Sequence, residues 1–281
     1  GARPAPTSSR PSAPVRARRA TAHAAPLKLW HAYRGGEEQA LQQLARQFTA
    51  ETGQQVELLA VPYDAFSSKL TSAIPHDAGP DVFIFAHERL RQFVRLAVVA
   101  PSQLPQFRAD YLTPAVDALE VDGIHYGWPL SLKCLALFHN RALVQAPPAT
   151  TEQLRALLPK LSDPQQNRFG LAWEAGDFYY HAPILFGFGG RLFGPDGKSQ
   201  FDTPQMAASL GFLRGLQDAR WIPQEASGAL VKSLFNDGRA AMVISGPWFA
   251  GEIDSRLQYG IVPLPVVSET GLPMQPFLGV E

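Results

Sequence analysis

The fold of this chain is decided by residues 235–248, which run Phe235-Asn-Asp-Gly-Arg-Ala-Ala-Met-Val-Ile-Ser-Gly-Pro-Trp248. The pattern predicts the end of a helix, a stop at Gly238, a buried strand over Ala240–Ile244 and a tight turn at Gly246-Pro247. That turn delivers the ring of Trp248 just past the carboxyl end of the strand. Ligands of open α/β sheets bind in the crevice beyond such strand ends. Trp248 is therefore a candidate ligand platform, with packing into the core as the alternative.

The chain upstream of this stretch alternates between strand and helix patterns. Strand patterns are found at Leu27–Trp30, Val56–Val61 and Val82–Ala86, and helix patterns at about Gly36–Thr52 and Asp64–Ile74. This alternation predicts an α/β layer architecture. The third strand is apolar throughout, which is typical of the central strand of a parallel sheet.

The downstream half continues with the same two patterns. Asp122-Gly123 predicts the turn of a hairpin, and Thr203 predicts a helix N-cap, with Pro204 at the first helical position. Further elements are expected as a helix capped by Thr150 or Thr151, a helix over Ser227–Asn236, and strands over Cys134–Phe138, Phe169–Trp173, Tyr259–Val266 and Pro276–Val280.

Composition excludes several classes of function. The 281 residues are 46% hydrophobic and 18% charged, which are globular values, and the length allows two domains. A net charge of zero gives no electrostatic case for nucleic acid or an anionic membrane as partner. None of the seven histidines falls in a ligand spacing, so neither a metal nor another cofactor is expected. The single cysteine, Cys134, excludes an internal disulfide, and its apolar flank 135–137 predicts a buried thiol.

Residues 1–26 differ in composition from the rest of the chain. They are rich in Pro, Ala, Ser and Arg and nearly lack large apolar side chains, which predicts a disordered tail or linker. Ala22-His23-Ala24 has the small-x-small form of a signal-peptidase site, but arginines stand where the apolar stretch of a leader is needed.

Aromatic side chains gather where the predicted elements turn, beside charged groups. They include Trp30, Tyr33, Phe85, Trp128, Trp173, Phe178-Tyr179-Tyr180 and Trp248. Flat aromatic faces suit the apolar faces of a sugar, and neighbouring polar groups suit its hydroxyls. A second chemistry stays open, since Glu174 and Asp177 could form the carboxylate pair of a glycosidase. The chain lacks a nucleophile elbow, a P-loop and a dinucleotide fingerprint, so no catalytic residue is assigned.

Eight short motifs lie in order between Leu27 and Val280. They are Leu27-Lys-Leu-Trp30, Phe48-Thr-Ala-Glu-Thr-Gly53, Gly79-Pro-Asp81 through Phe85-Ala-His-Glu-Arg89, Trp128-Pro129 with Leu137-Phe-His-Asn140, Phe235-Asn-Asp-Gly238, Ala241-Met242, Gly246-Pro-Trp248 and Pro276-Phe-Leu-Gly-Val280. In this order they resemble the extracellular solute-binding proteins of bacterial ABC importers, in the maltose/maltodextrin-binding group.

The resemblance implies a two-lobed, type II-like periplasmic-binding-protein fold. Residues 27–131 would form the first lobe, 132–264 the second, and 265–281 the crossover back to the first. Members of the group run on further, so the second lobe and the return are expected to be incomplete here. The implied function is binding a malto-oligosaccharide-like carbohydrate and delivering it to an ABC importer by hinge closure, at the periplasmic or extracytoplasmic face. The implied partners are the oligosaccharide and the permease subunits, with membrane contact only through the permease or a fused continuation.

The resemblance also implies a set of ligand-binding residues. Phe85, Tyr179 and Trp248 stand at sugar-stacking positions, and the hydroxyl-binding positions are filled by Arg34, Glu88, Arg89 and Asp177. Lys133 stands where the maltodextrin-binding proteins carry a glutamate. Because a lysine donates and cannot accept, this position allows a different specificity or an anionic sugar. Tyr179-Tyr180 also resembles the paired tyrosines with which related binding proteins hold ferric iron, which stays an alternative.

Overall fold

The computed structural model of the protein describes residues 25–103 and 110–281. The predicted tail falls outside the described residues, except for Ala25 and Pro26. The strands are β1 (Leu27–His31), β2 (Val56–Ala60), β3 (Val82–Ile84), β4 (Glu120–Val121), β5 (Ile124–His125), β6 (Leu132–Lys133), β7 (Ala136–Asn140), β8 (Phe169–Ala172), β9 (Ala240–Ser245), β10 (Tyr259–Val262) and β11 (Gly279–Val280). The α-helices are α1 (Gly36–Thr52), α2 (Tyr63–Ala73), α3 (Leu90–Arg95), α4 (Thr113–Asp117), α5 (Thr151–Leu161), α6 (Phe178–Gly187), α7 (Pro204–Asp218) and α8 (Gly228–Asn236).

The first lobe is built on a parallel sheet of three strands, in the order β2-β1-β3. Leu29 lies opposite both Leu58 and Val82, so β1 is the central strand of this sheet. The prediction that 82–86 forms the central strand was wrong. The strand ends at Ile84, and Phe85 turns into an aromatic cluster instead of continuing the ladder.

The second lobe is built on a mixed sheet of four strands, in the order β10-β7-β9-β8. All six residues of β9 are buried, as predicted for the apolar run of the deciding stretch. Strand β7 pairs antiparallel with both β10 and β9, and β8 runs parallel to β9. Side chains from α5, α6 and α7, including Leu158, Ile184 and Leu216, cover one side of this sheet.

Strands β6 and β11 connect the two lobes as an antiparallel pair. Lys133 lies opposite Gly279, and Leu132 opposite Val280. The chain leaves the first lobe along β6 and returns along β11, so both crossings share one short ribbon. Within the segment 265–281, Val267 and Met274 still pack into the second-lobe core, ahead of the crossing itself.

Local signals in the sequence account for most element ends. Asp122 and Gly123 both adopt positive φ angles, 52° and 80°, as a two-residue hairpin turn of type I′ requires. The side chains of Thr150, Thr203 and Ser227 accept hydrogen bonds from backbone N–H groups in the first turns of α5, α7 and α8.

Cys134 corrects one sequence prediction, because its thiol is exposed and not buried. The residue lies between β6 and β7, before the chain enters the second sheet. Its apolar neighbours misled the prediction, since Leu135 and Leu137 are buried in the second lobe while Cys134 is not. Within the described ranges, no helix has the length and apolarity needed to cross a membrane.

Candidate ligand-binding site

Trp248 lies in a short 3-10 turn, Pro247–Glu252, directly after β9. Its indole folds back over Gly246, where a Cβ atom would come within 2.2 Å of the ring. The half-buried side chain packs against both core clusters of the second lobe. The glycine of the deciding stretch therefore makes room for the ring, and the indole is part core and part surface.

Tyr179 forms the second-lobe wall next to Trp248. The two ring centroids are 6.3 Å apart, and Phe277 lies 6.1 Å from Tyr179 on the returning chain. Burial raises the pKa of Tyr179 to about 12, with the carboxylate of Glu88 as the next cause. The Tyr179 hydroxyl is buried and makes no hydrogen bond with the part of the chain that the structure describes. The wall therefore contains an unsatisfied phenol beside Trp248.

Asp177 is held as the N-cap of α6. Its Oδ1 accepts a hydrogen bond from the backbone N–H of Tyr179 at 2.8 Å. One carboxylate oxygen is thus used to begin the helix that presents Tyr179. The Asp177 side chain is otherwise exposed.

Phe85 is buried, in contrast to the open platform implied by the resemblance. Its ring is stacked on Phe66, with centroids 4.4 Å apart, and on Tyr63, with centroids 4.8 Å apart. Phe85 is 9% exposed, whereas Tyr63 is 42% exposed. The ring that the first lobe presents at this stack is that of Tyr63, the first residue of α2.

Glu88 and Arg89, the predicted acid–arginine pair, lie beside this stack. Both side chains are exposed, and Glu88 accepts a hydrogen bond from the Tyr63 hydroxyl. Partial burial and then this hydrogen bond raise the pKa of Tyr63 above its ordinary value, while the Arg89 charge lowers it. The three side chains therefore form one polar edge on the first lobe.

Lys133 lies at the floor between the two lobes. Its ammonium is 5.9 Å from the ring centre of Tyr63 and 5.6 Å from that of Trp248. It forms an ion pair with the carboxylate of Glu281, and both side chains are 13% exposed. The structure thus brings together a first-lobe ring, a second-lobe ring and a crossover ion pair.

Arg34 lies at the edge of the same cleft. Its guanidinium reaches Glu252, which belongs to the turn that carries Trp248, at 3.5 Å. Burial, and then the charges of Glu281 and Glu37, raise the pKa of the neighbouring Tyr33, whose phenol is also hydrogen-bonded to Glu281.

Sequence reasoning missed Tyr63 and Glu281 at this site. Tyr63 carried a usable signal, because it follows β2 as Trp248 follows β9, at the carboxyl end of a strand. Glu281 carried none, because its position beside Lys133 depends on the register between β6 and β11.

The carboxylates proposed for a glycosidase have other partners. Glu174 accepts a hydrogen bond from the Tyr180 hydroxyl at 3.1 Å, and Asp177 caps α6. Burial raises the pKa of Glu174, which the hydrogen bonds from Tyr180 and Gly228 partly oppose. This arrangement holds the start of α6 and α8 in place and offers no opposed pair of free carboxylates.

The side chains of Tyr179 and Tyr180 lie in different surroundings. Tyr180 is buried and bonded to Glu174, whereas Tyr179 lies against Trp248, and the two rings are nearly perpendicular at 85°. Burial raises the pKa of both phenols, which opposes the phenolate form that binds ferric iron. Among the described residues, no group of three or more His, Cys, Asp or Glu side chains could hold a metal ion.

A groove of about 380 Å³ lies elsewhere on the second lobe, between α6 and α7. Of the predicted site residues only Asp177 lines it, and most of its lining is apolar, including Phe178, Phe201 and Leu210. Lacking convergent polar groups, it fits a sugar less well than the cleft between Tyr63 and Trp248.

Comparison with known proteins places this cleft in a wider context. Residues 34–271 match the family described as bacterial extracellular solute-binding protein. The maltotriose-binding protein of Pyrococcus abyssi is 28% identical over 254 residues, which cover 86% of this chain and 54% of that protein. The maltodextrin-binding protein MdxE of Bacillus subtilis is 30% identical over 229 residues, covering 73% of this chain and 52% of that protein. The chain therefore spans about half the length of these curated relatives.

A solved structure shows the same fold. The Thermus thermophilus maltotriose binding protein bound with maltotriose superposes with a TM-score of 0.83 at 27% identity. The match covers 90% of this chain and 70% of that one. The two-lobed α/β architecture implied by the sequence motifs is thereby confirmed, in a partial form.

Proposed function

Because the chain belongs to the family of bacterial extracellular solute-binding proteins, we propose that it captures a malto-oligosaccharide-like carbohydrate for an ABC importer. The relatives named for maltotriose and maltodextrin support this choice of ligand. The family is one of binding proteins, which argues against the glycosidase alternative. The ferric alternative lacks a favourable tyrosine geometry.

One observation carries the proposal. The rings of Tyr63 and Trp248 come from different lobes and approach the same Lys133 ammonium, at 5.9 and 5.6 Å. Aromatic faces contributed by both lobes match the two apolar faces of a pyranose ring. Hydrogen-bonding groups line the edges, where the sugar hydroxyls would lie.

Each site residue has a role in this proposal. Trp248 and Tyr63 stack against sugar rings, and Tyr63 takes over the role that the resemblance implied for Phe85. Hydroxyls are bound by Arg34, Glu88, Arg89, Lys133, Asp177 and Tyr179. These groups mix donors and acceptors, and a sugar hydroxyl needs both.

Hinge closure is the proposed signal to the importer. The lobes are connected by the short β6–β11 ribbon, which can bend while each sheet stays rigid. The proposed bounds are 27–131 for the first lobe, 132–264 for the second and 265–281 for the return. The proposed place of action is the periplasmic or extracytoplasmic side of the membrane, with the permease subunits as partners.

Calorimetric titration of the full-length protein with maltotriose, and with β-linked and galactose-containing trisaccharides, tests the proposal. Heat of binding is expected with maltotriose and not with the β-linked glucan. The proposal fails if none of the sugars gives heat while the protein is folded by circular dichroism. A colour change on adding ferric citrate would instead favour the iron alternative.

A further inference from the structure

Glu281 is the acidic partner of Lys133 at the floor between the lobes. It follows β11 directly, and its backbone pairs with Ser131 across the crossover ribbon. Its side chain is 13% exposed and forms an ion pair with the equally buried Lys133. A buried pair of this kind leaves neither charge uncompensated, so the floor of the cleft is neutral as a unit.

The surroundings of this pair are acidic. Partial desolvation raises the pKa of Glu37, and the Glu281 charge raises it further. The Glu281 charge likewise contributes, after burial, to the raised pKa of Tyr33 and of Tyr179. The geometry agrees, because the Lys133 ammonium that pairs with Glu281 lies 5.9 Å from the Tyr63 ring of the first lobe and 5.6 Å from the Trp248 ring of the second.

We infer that Glu281 is a ligand-binding and charge-selecting residue of the cleft, acting as one unit with Lys133. The inference rests on the proposed carbohydrate-binding function. Lys133 taken alone would attract an anionic sugar. Glu281 already compensates the charge of Lys133. A carboxylate of the ligand would have to displace Glu281 from Lys133 and would then lie beside the like charge of Glu281.

The pair is also suited to a neutral diol. Lys133 has three N–H donors, of which one faces Glu281. The Glu281 carboxylate also faces the Ser131 hydroxyl, at 3.5 Å, and the phenol of Tyr33. With Lys133 these fill three of about four acceptor sites, so the carboxylate can still accept one hydrogen bond from a ligand. Adjacent hydroxyls of a pyranose could donate to Glu281 and accept from Lys133 at the same time.

The test compares two trisaccharides with the full-length protein by calorimetry. One is maltotriose, and the other has the same linkages with one glucose replaced by glucuronic acid. The wild type should bind maltotriose at least about tenfold more tightly, since one close unscreened charge outweighs ~1.4 kcal/mol. In Glu281→Gln the preference should shift toward the anionic sugar by about tenfold or more.

Glu57→Gln is the matched control, because it makes the same chemical change on an exposed residue of β2. Its preference should equal that of the wild type. If Glu281→Gln unfolds, the double variant K133Q/E281Q leaves no unpaired charge. The ratio of its affinities for maltotriose and the anionic trisaccharide must then differ from the wild-type ratio by at least about threefold.

The outcomes separate the two ideas. Neutral binding with an unchanged preference in Glu281→Gln overturns the role of Glu281 and leaves the proposed function standing. A wild-type protein that prefers the anionic sugar would likewise overturn the role of Glu281 and leave the proposed function standing. Binding of neither sugar overturns the proposed function, and the role of Glu281 falls with it.

Discussion

Arg34 in the first lobe forms an ion pair with Glu252 in the second, with the guanidinium nitrogen 3.5 Å from the carboxylate oxygen. The two residues follow β1 and β9 and lie on opposite sides of the cleft. Their neighbours also approach each other, since a Cβ on Gly35 would lie 3.7 Å from the Gly251 carbonyl oxygen. Contacts of this kind require the lobes to be close, so they belong to the arrangement in which a ligand would be enclosed.

Variants of the Arg34–Glu252 ion pair distinguish a role of Arg34 in ligand binding from a role in contact between the lobes. The Arg34 side chain is 71% exposed, so the ion pair itself should contribute at most about 1 kcal/mol. Glu252→Gln should therefore weaken maltotriose binding by at most about fivefold. Arg34→Gln should weaken it by about tenfold, because it also removes charged donors to the ligand. Equal losses in the two variants, measured by calorimetry, would show that Arg34 acts only through Glu252.

Trp248→Ala should reduce sugar affinity by more than about tenfold, because it removes the proposed stacking face of the second lobe. The protein should remain folded, since the ring is only half-buried. Trp248→Phe keeps an aromatic face and should retain most of the affinity. Calorimetry gives the affinities, and circular dichroism reports folding. Unchanged affinity in Trp248→Ala would return the indole to a core role.

Gly246 provides the clearance for the indole of Trp248. In Gly246→Ala the new methyl group would lie 2.2 Å from the present ring position, so the ring must move. The φ angle of Gly246, −103°, is allowed for alanine, so the effect is steric and not a backbone strain. We expect about a tenfold loss of sugar affinity and a loss of about 1 kcal/mol in stability, at the low end of overpacking.

The control for this variant is Gly251→Ala in the same turn, where a Cβ meets no atom within 4 Å. Its affinity and tryptophan fluorescence should match the wild type. If Gly246→Ala shifts the fluorescence and leaves the affinity intact, the ring position does not matter for binding.

Tyr63 and Phe85 should respond in opposite ways to substitution. Tyr63→Ala removes an exposed ring and should weaken sugar binding by about tenfold, with little change in unfolding free energy. Phe85→Leu alters a buried ring and should lower the unfolding free energy by about 1 kcal/mol, with affinity nearly unchanged. Denaturant titration and calorimetry on the two variants decide the matter. The reverse pattern would restore Phe85 as the platform.

Local patterns in the sequence were sufficient for most of the fold. The buried run of β9, the Asp122-Gly123 turn and the Thr203 cap each depend on neighbouring residues, and each is found where predicted. The position of Trp248 after β9 follows from the same local signals. The two-lobed architecture came from the motif order, and the structural comparison supports it.

The remaining errors have a common physical cause. Three properties were predicted wrongly: the burial of Phe85, the exposure of Cys134 and the position of β3 in its sheet. All three depend on contacts between distant segments, and local sequence periodicity carries no information about such contacts. The apolar run 82–86 was consistent with a central strand, but Phe66 and Tyr63 stack on Phe85 and take its ring out of the cleft. Glu281 reaches Lys133 only through pairing across 148 positions of the chain.

His181 should make stability depend on pH just below neutrality. The side chain is 5% exposed, its Nε2 lies 3.0 Å from the Ser209 hydroxyl, and burial lowers its pKa from 6.5. The unfolded chain therefore binds a proton at a higher pH than the folded chain. Stability should fall as the pH drops below about 6.5, by at most about 1.4 kcal/mol per pH unit, until the lowered pKa is passed.

His181→Gln cannot titrate, so between pH 7.5 and 5.5 it should lose less unfolding free energy than the wild type in denaturant titrations. His76→Gln, at an exposed position, should keep the wild-type slope. Equal slopes in His181→Gln and the wild type would mean that this buried imidazole does not set the pH dependence.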